Sequence, residues 1–119
     1  MESYQDLIVW QKSMQLVKEV YTLVKQLPKE EQFALSDQMR RAAVSIPSNI
    51  AEGYGRNSTN DYIRFLNIAR GSKYELETQI QIGVMLNYFS KENAAIALAL
   101  SEEIGKMINT LIKKLMPNP

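Results

Sequence analysis

The chain has 119 residues, 14 Lys plus Arg, 13 Asp plus Glu and a formal charge of +1. That length fits one domain, residues 1–119, and 45% apolar with 23% charged residues are globular values. With no His and no Cys, there is no Cys/His zinc site, no Ser-His-Asp or Cys-His nucleophile, no disulfide and no thiol redox chemistry.

Breakers fall at Leu27-Pro28-Lys29, Gly53 to Asn60, Asn87 to Asn93 and Pro117-Asn118-Pro119, leaving four segments of helical length. No sustained alternation of period two marks a strand. The first helix is predicted over about 4–27. Leu7, Trp10, Met14, Val17, Tyr21 and Val24 repeat at steps of three and four, a heptad seam. A second row, Val9, Leu16, Val20, Leu23 and Leu27, lies beside it. Together they span an apolar arc of roughly 160° at 100° per residue. An arc that broad fits a helix with two neighbours in its bundle, or with one neighbour and another subunit.

The second helix is predicted over about 33–54, with Met39, Ala43, Ile46, Ile50 and Tyr54 as its seam and Ser36 as a candidate N-cap. Pro47 sits in its middle. It removes a backbone donor and crowds the Ala43 carbonyl, so a kink is expected there; the alternative is a break with Pro47 opening a new helix. The apolar period continues in register through it, which favours one kinked helix.

The third helix is predicted over about 60–89, capped by Ser58 or Asn60, with Tyr62, Leu66, Ala69, Leu76, Ile80 and Gly83 as its seam. Gly in a helix interior costs about 1 kcal/mol relative to Ala, so Gly71 and Gly83 suggest close approach of another helix. The fourth is predicted over about 91–116, with Ser90 as N-cap and Lys113 and Lys114 where cations suit the helix dipole. Met14, Met39, Met85 and Met107 read as gap-filling core residues. Four helices on short connections predict an all-α fold, an antiparallel up-down-up-down four-helix bundle. The two rows on the first helix further predict a homo-oligomer.

The acidic, polar start Met1-Glu2-Ser3-Tyr4-Gln5-Asp6 is not a secretory n-region. The longest apolar run, Ala94 to Leu100, is seven residues, against about 20 for a membrane span. A cytoplasmic protein without a membrane partner is therefore the expectation.

The one dense constellation of polar residues spans the end of the second helix and the start of the third. From residue 40 to residue 73 there are six cations and two anions, a local +4 against −3 for the rest. Arg40, Arg41, Arg56, Arg64, Arg70 and Lys73 are the candidate nucleic-acid contacts, each able to neutralise a phosphate. Ordinary ion pairs compete with that role: Asp37 precedes Arg41 by four, Asp61 precedes Arg64 by three, and Glu77 follows Lys73 by four. Arg70 has no acidic neighbour at that spacing, which leaves Arg70 with Lys73 as the best phosphate pair. Asn49, Glu52 and Arg56 share a face and read, with Pro47 upstream, as a polar cluster fixing the corner between the second and third helices. Gly53 and Gly55 read as a helix C-cap and turn. Glu52 has no second carboxylate on its face for acid/base work, and Glu75 and Glu77 cannot face each other, so no dicarboxylate metal motif is present.

The block Arg40-Arg41-Ala42-Ala43-Val44-Ser45-Ile46-Pro47-Ser48-Asn49-Ile50-Ala51-Glu52-Gly53 is followed by Arg64-Phe65-Leu66, Ile68-Ala69, Gly71-Ser72 and Glu75-Leu76-Glu77-Thr78-Gln79. It resembles the bacterial four-helix-bundle family of 23S rRNA intervening-sequence proteins, which is related to the accessory variability protein of diversity-generating retroelements. The resemblance runs from Tyr4-Gln5-Asp6-Leu7 and Trp10 to the fourth helix. It implies a ring-shaped homopentamer and no enzymatic activity; no cofactor is expected. For the retroelement branch it implies binding to nucleic acid, RNA or DNA, and to a reverse transcriptase. The competing expectation is a protein–protein adaptor whose arginines are merely solvated.

Overall fold

A computed structural model describes residues 2–117; Met1, Asn118 and Pro119, the last two from the C-terminal breaker, lie outside the described residues. Four α-helices form, α1 Ile8–Val24, α2 Leu35–Tyr54, α3 Thr59–Met85 and α4 Lys91–Leu115, with 3-10 turns at Tyr4–Asp6 and Lys29–Glu31. No strand occurs among the described residues. The helices pack α1 on α2, α2 on α3, α3 on α4 and α4 back on α1, in a body 48 × 22 × 21 Å. This is consistent with a four-helix bundle.

Local chemistry sets the boundaries, and several differ from the sequence expectation, the first helix also ending at Val24 and not at 27. The first helix does not run on from residue 4. Asp6 Oδ2 accepts the Ser3 backbone N–H at 3.3 Å and the Ser3 hydroxyl accepts the Gln5 N–H at 3.1 Å. This closes a separate turn, after which Leu7 is extended (ψ 124°). Ser36 does not cap α2. It is buried in the first turn, and the Glu31 carboxylate instead accepts the Leu35 N–H at 3.3 Å. α2 then runs unbroken through Pro47, so the alternative of a second helix opening there is not realised.

The Ser58 hydroxyl caps α3, accepting the Asp61 N–H at 3.1 Å. That helix stops at Met85, four residues early, because Asn87 adopts a left-handed conformation (φ 64°). Asn pays less than most residues for that region. The reversal lets the Tyr88 and Phe89 N–H groups donate to the Gly83 carbonyl at 2.8 and 3.3 Å. The Phe89 ring folds onto Gly83, where a Cβ would collide with it. Gly83 therefore makes room for a side chain of its own hairpin, not for another helix. Ser90 caps α4 as expected, accepting the Asn93 N–H at 3.0 Å.

The core also separates the two rows on α1. Val9, Leu16, Val20 and Leu23 of the second row are buried, while Leu27, beyond the end of α1, is half-buried. Of the heptad seam only Leu7 and Val24 are buried; Trp10 and Val17 are half-buried, while Met14 and Tyr21 are 45% and 43% exposed. Ser13 shares the buried row because its hydroxyl donates to the Val9 carbonyl at 2.7 Å, which satisfies it inside the helix. Of the four methionines expected in the core only Met39 is fully buried; Met14 and Met85 are exposed and Met107 is half-buried. The opposing helices contribute Ile46, Ile50, Leu66, Leu76, Ile80, Ile104 and Ile108, all fully buried. Each such side chain stabilises the fold by about 1.5–3 kcal/mol relative to exposure.

Candidate functional site

The heptad row left outside the core borders a groove between α1 and α2. Three shallow cavities of about 460, 350 and 450 Å³ lie in line along it. The first and second share Val44; the second and third share Tyr4, Ser48 and Ala51. Tyr21 and Arg40 line one end, Trp10, Met14, Val17 and Pro47 the middle, and Glu52 and Phe65 the other end. The floor is apolar because Trp10, Met14, Val17 and Tyr21 fall on one face of α1, with Val44, Pro47 and Ala51 opposite on α2.

The predicted cations do not share one surface. Arg41 Nε donates to Asp37 Oδ2 at 3.1 Å, and Arg56 Nη2 donates to Glu52 Oε1 at 3.2 Å. Arg64 Nη2 stands 3.6 Å from Asp61 Oδ1. The guanidinium groups of Arg56 and Arg64 both sit on Phe65, at 4.8 and 4.6 Å from the ring centre. Arg40 is half-buried and has no ion-pair partner among the described residues.

Arg70 and Lys73, the expected phosphate pair, have other partners. Arg70 forks between two amides, donating to Asn67 Oδ1 and to Asn109 Oδ1, both at 2.7 Å. Lys73 lies inside, its side chain 7% exposed, with Nζ 3.0 Å from Glu77 Oε2. The same oxygen accepts the hydroxyl of fully buried Ser101 at 2.6 Å. Gly105 admits the lysine stem, since a Cβ there would fall 2.9 Å from Nζ. The ammonium also rests 4.1 Å from the Tyr74 ring centre. In this conformation Lys73 cannot meet a phosphate at the outer face. The network was partly legible: Lys73 occupies the gap in the α3 seam between Ala69 and Leu76, with Glu77 one turn on. Its α4 partners, Ser101 and Gly105, carry no signal in sequence.

Asn49 departs from the expected polar cluster. Its amide donates to the Ser45 carbonyl and hydroxyl at 2.8 and 2.9 Å, and the Ser45 hydroxyl meets the Ser72 hydroxyl at 2.8 Å. Asn49 thus fixes the α2–α3 contact through Ser45, while Glu52 and Arg56 pair alone at the surface. Gly53 lies inside α2, and a Cβ there would stand 2.8 Å from Phe65 Cβ and 3.2 Å from the Tyr62 carbonyl. Its small size brings the end of α2 against α3, and it is Gly55 that stands at the C-cap.

Two tyrosines titrate above their ordinary range. Burial, and secondarily Tyr54, pushes the Tyr62 hydroxyl up, and that oxygen has no hydrogen-bond partner. At the opposite end, Tyr88 is raised mainly by donating to Glu31 Oε2, at 2.9 Å. Among the described residues, no group of three or more carboxylates could hold a metal ion. No described helix is long and apolar enough to cross a membrane.

Four helices around a tight apolar core, with a groove beside α1 and most arginines already paired, define an all-α protein of the helical-bundle class. Residues 5–110 match the family model described as 23S rRNA-intervening sequence protein. The chain belongs to that family. It is also similar to a crystal structure, at 1.70 Å resolution, of a protein of unknown function from the S23 ribosomal protein family of Bacteroides thetaiotaomicron. The identity is 30% and the TM-score 0.83, over 89% of this chain and 99% of that one. No match is found among curated proteins.

Proposed function

We propose that this chain is a non-enzymatic protomer, one domain of four helices running up-down-up-down, that self-associates through the α1–α2 groove. Contacts between distant residues support the helix directions: Ser45 with Ser72, Lys12 with Glu103 at 3.3 Å, and Gln26 with Asn93 at 3.2 Å. The observation that carries self-association is the stranded row on α1. Met14 and Tyr21 keep heptad spacing yet stay exposed, Trp10 and Val17 beside them are only half-buried against the core, and Val44 extends the strip at 41% exposure. A contiguous apolar strip rimmed by charge is the signature of an interface. Light scattering tests it: the wild type is expected at a multiple of 13.6 kDa, five being the number the family resemblance implies. Met14→Glu with Val44→Glu is expected to return it to one protomer mass. A wild type that is monomeric at micromolar concentration overturns the proposal.

A second reading, nucleic-acid association, rests on Phe65 bracketed by Arg56 and Arg64. A ring flanked by exposed guanidinium groups suits stacking on an unpaired base and contact with its phosphates. It predicts binding of labelled single-stranded RNA at low salt that weakens as salt rises and is reduced by Arg56→Ala with Arg64→Ala. Absence of binding at the lower salt removes it.

A further inference from the structure

Gly71 weakens the middle of α3 relative to Ala, and nothing in the protomer requires it: a Cβ there would meet no atom within 4 Å. The same outward face of α3 carries Ile68 and Tyr74, 42% and 54% exposed. It also carries Glu75, exposed and without an ion-pair partner among the described residues. We propose that this face of α3 in one copy seats in the α1–α2 groove of the next, head to tail, with Gly71 at the point of closest approach. The proposal rests on the self-association reading above and names the second surface that it leaves open.

The pairing follows from axial levels. Within the protomer Ser45 touches Ser72 and Gly53 lies against Phe65, so those residues share levels along the bundle. Counting outward at about 1.5 Å per residue, Arg40 lies level with Glu77, Glu52 with Phe65, and Gly71 with Ile46. Copies related by rotation about an axis parallel to the bundle keep these levels. The neighbour's Glu75 then falls about 3 Å in height from Arg40, and its Arg64 about 1.5 Å from Glu52. Both juxtapositions bring opposite charges together, and one of them joins an arginine and a glutamate that are each unpaired within the protomer. Gly71 comes between Val44 and Ser48, where a side chain would prop the helices apart. The occupant is a second copy because the chain carries two unlike uncovered faces whose charges match. A two-fold pairing of groove with groove would leave the α3 face bare.

The absence of Cys from the chain supplies a clean test. Full-length Val44→Cys and mass-tagged Gly71→Cys chains are co-expressed and oxidised, and Arg40→Cys with Glu75→Cys forms an independent second pair. The expected result is a disulfide-linked dimer of unlike chains as the main product of each pair. Links only between like chains, or no links from either pair while the wild type remains multimeric by light scattering, overturn the pairing and leave self-association standing. A monomeric wild type overturns both.

Discussion

Replacing Glu77 by Leu removes the carboxylate shared by Lys73 and Ser101. It leaves an ammonium on a side chain 7% exposed and a hydroxyl on a fully buried serine, both stripped of their partner. Breaking one side of a buried pair costs about 3–5 kcal/mol. The Tyr74 ring, 4.1 Å from the ammonium, still attracts it, so about 3 kcal/mol is expected. Lys73→Met should cost less, about 1 kcal/mol, because Glu77 keeps the Ser101 donor and its side chain is 20% exposed, so water can solvate it. In the double variant only Ser101 is left unpaired, at about 1–2 kcal/mol. That is well below the sum of the singles and gives a coupling of about 2–3 kcal/mol. Urea denaturation at one fixed protein concentration measures all four, since association would otherwise shift the apparent stability. If Glu77→Leu costs no more than Lys73→Met, or if the two costs simply add, Lys73 is not held by the carboxylate and the assignment fails.

Two glycines give opposite expectations for the same change. Gly83→Ala must displace the Phe89 ring and should destabilise by about 1–3 kcal/mol as an overpacked core site. Gly71→Ala, with open space around it, should stabilise the helix by up to about 1 kcal/mol while weakening assembly; thermal melting and light scattering read the two effects separately. Tyr62→Phe removes a buried hydroxyl without a partner and should leave stability unchanged or raise it by up to about 1 kcal/mol. Because the folded-state pKa of Tyr62 is raised, its contribution is intact below the unfolded value and is lost as pH climbs past 10. The phenylalanine variant should therefore unfold less steeply in alkali by circular dichroism.

Helix number, the approximate spans and the caps at Ser58 and Ser90 could be read from apolar period and breaker position, because those signals are local. What could not be read depended on contacts made elsewhere. The two rows on α1 are equally apolar, so only the placement of α2 and α4 decides which is inside. Lys73 looked like a surface cation because its compensating Ser101 and Gly105 lie on another helix. Asn49 sits three residues from Glu52, a spacing that pairs them, but the Ser45 carbonyl one turn back takes the amide instead. Arg41, Arg56 and Arg64 met the acids that their own helical spacing offered, which is why those pairs were visible in advance.

α4 carries a consequence for the timing of folding. It supplies Ala94, Ala97, Ile104 and Ile108 to the core and closes the circuit onto α1 through Lys12–Glu103 and Gln26–Asn93. The other contacts between α-helices join sequence neighbours. During synthesis, the earlier helices must wait with a greasy side bare until α4 leaves the ribosome. That interval is when the nascent chain is most open to capture by a chaperone or by another unfinished copy.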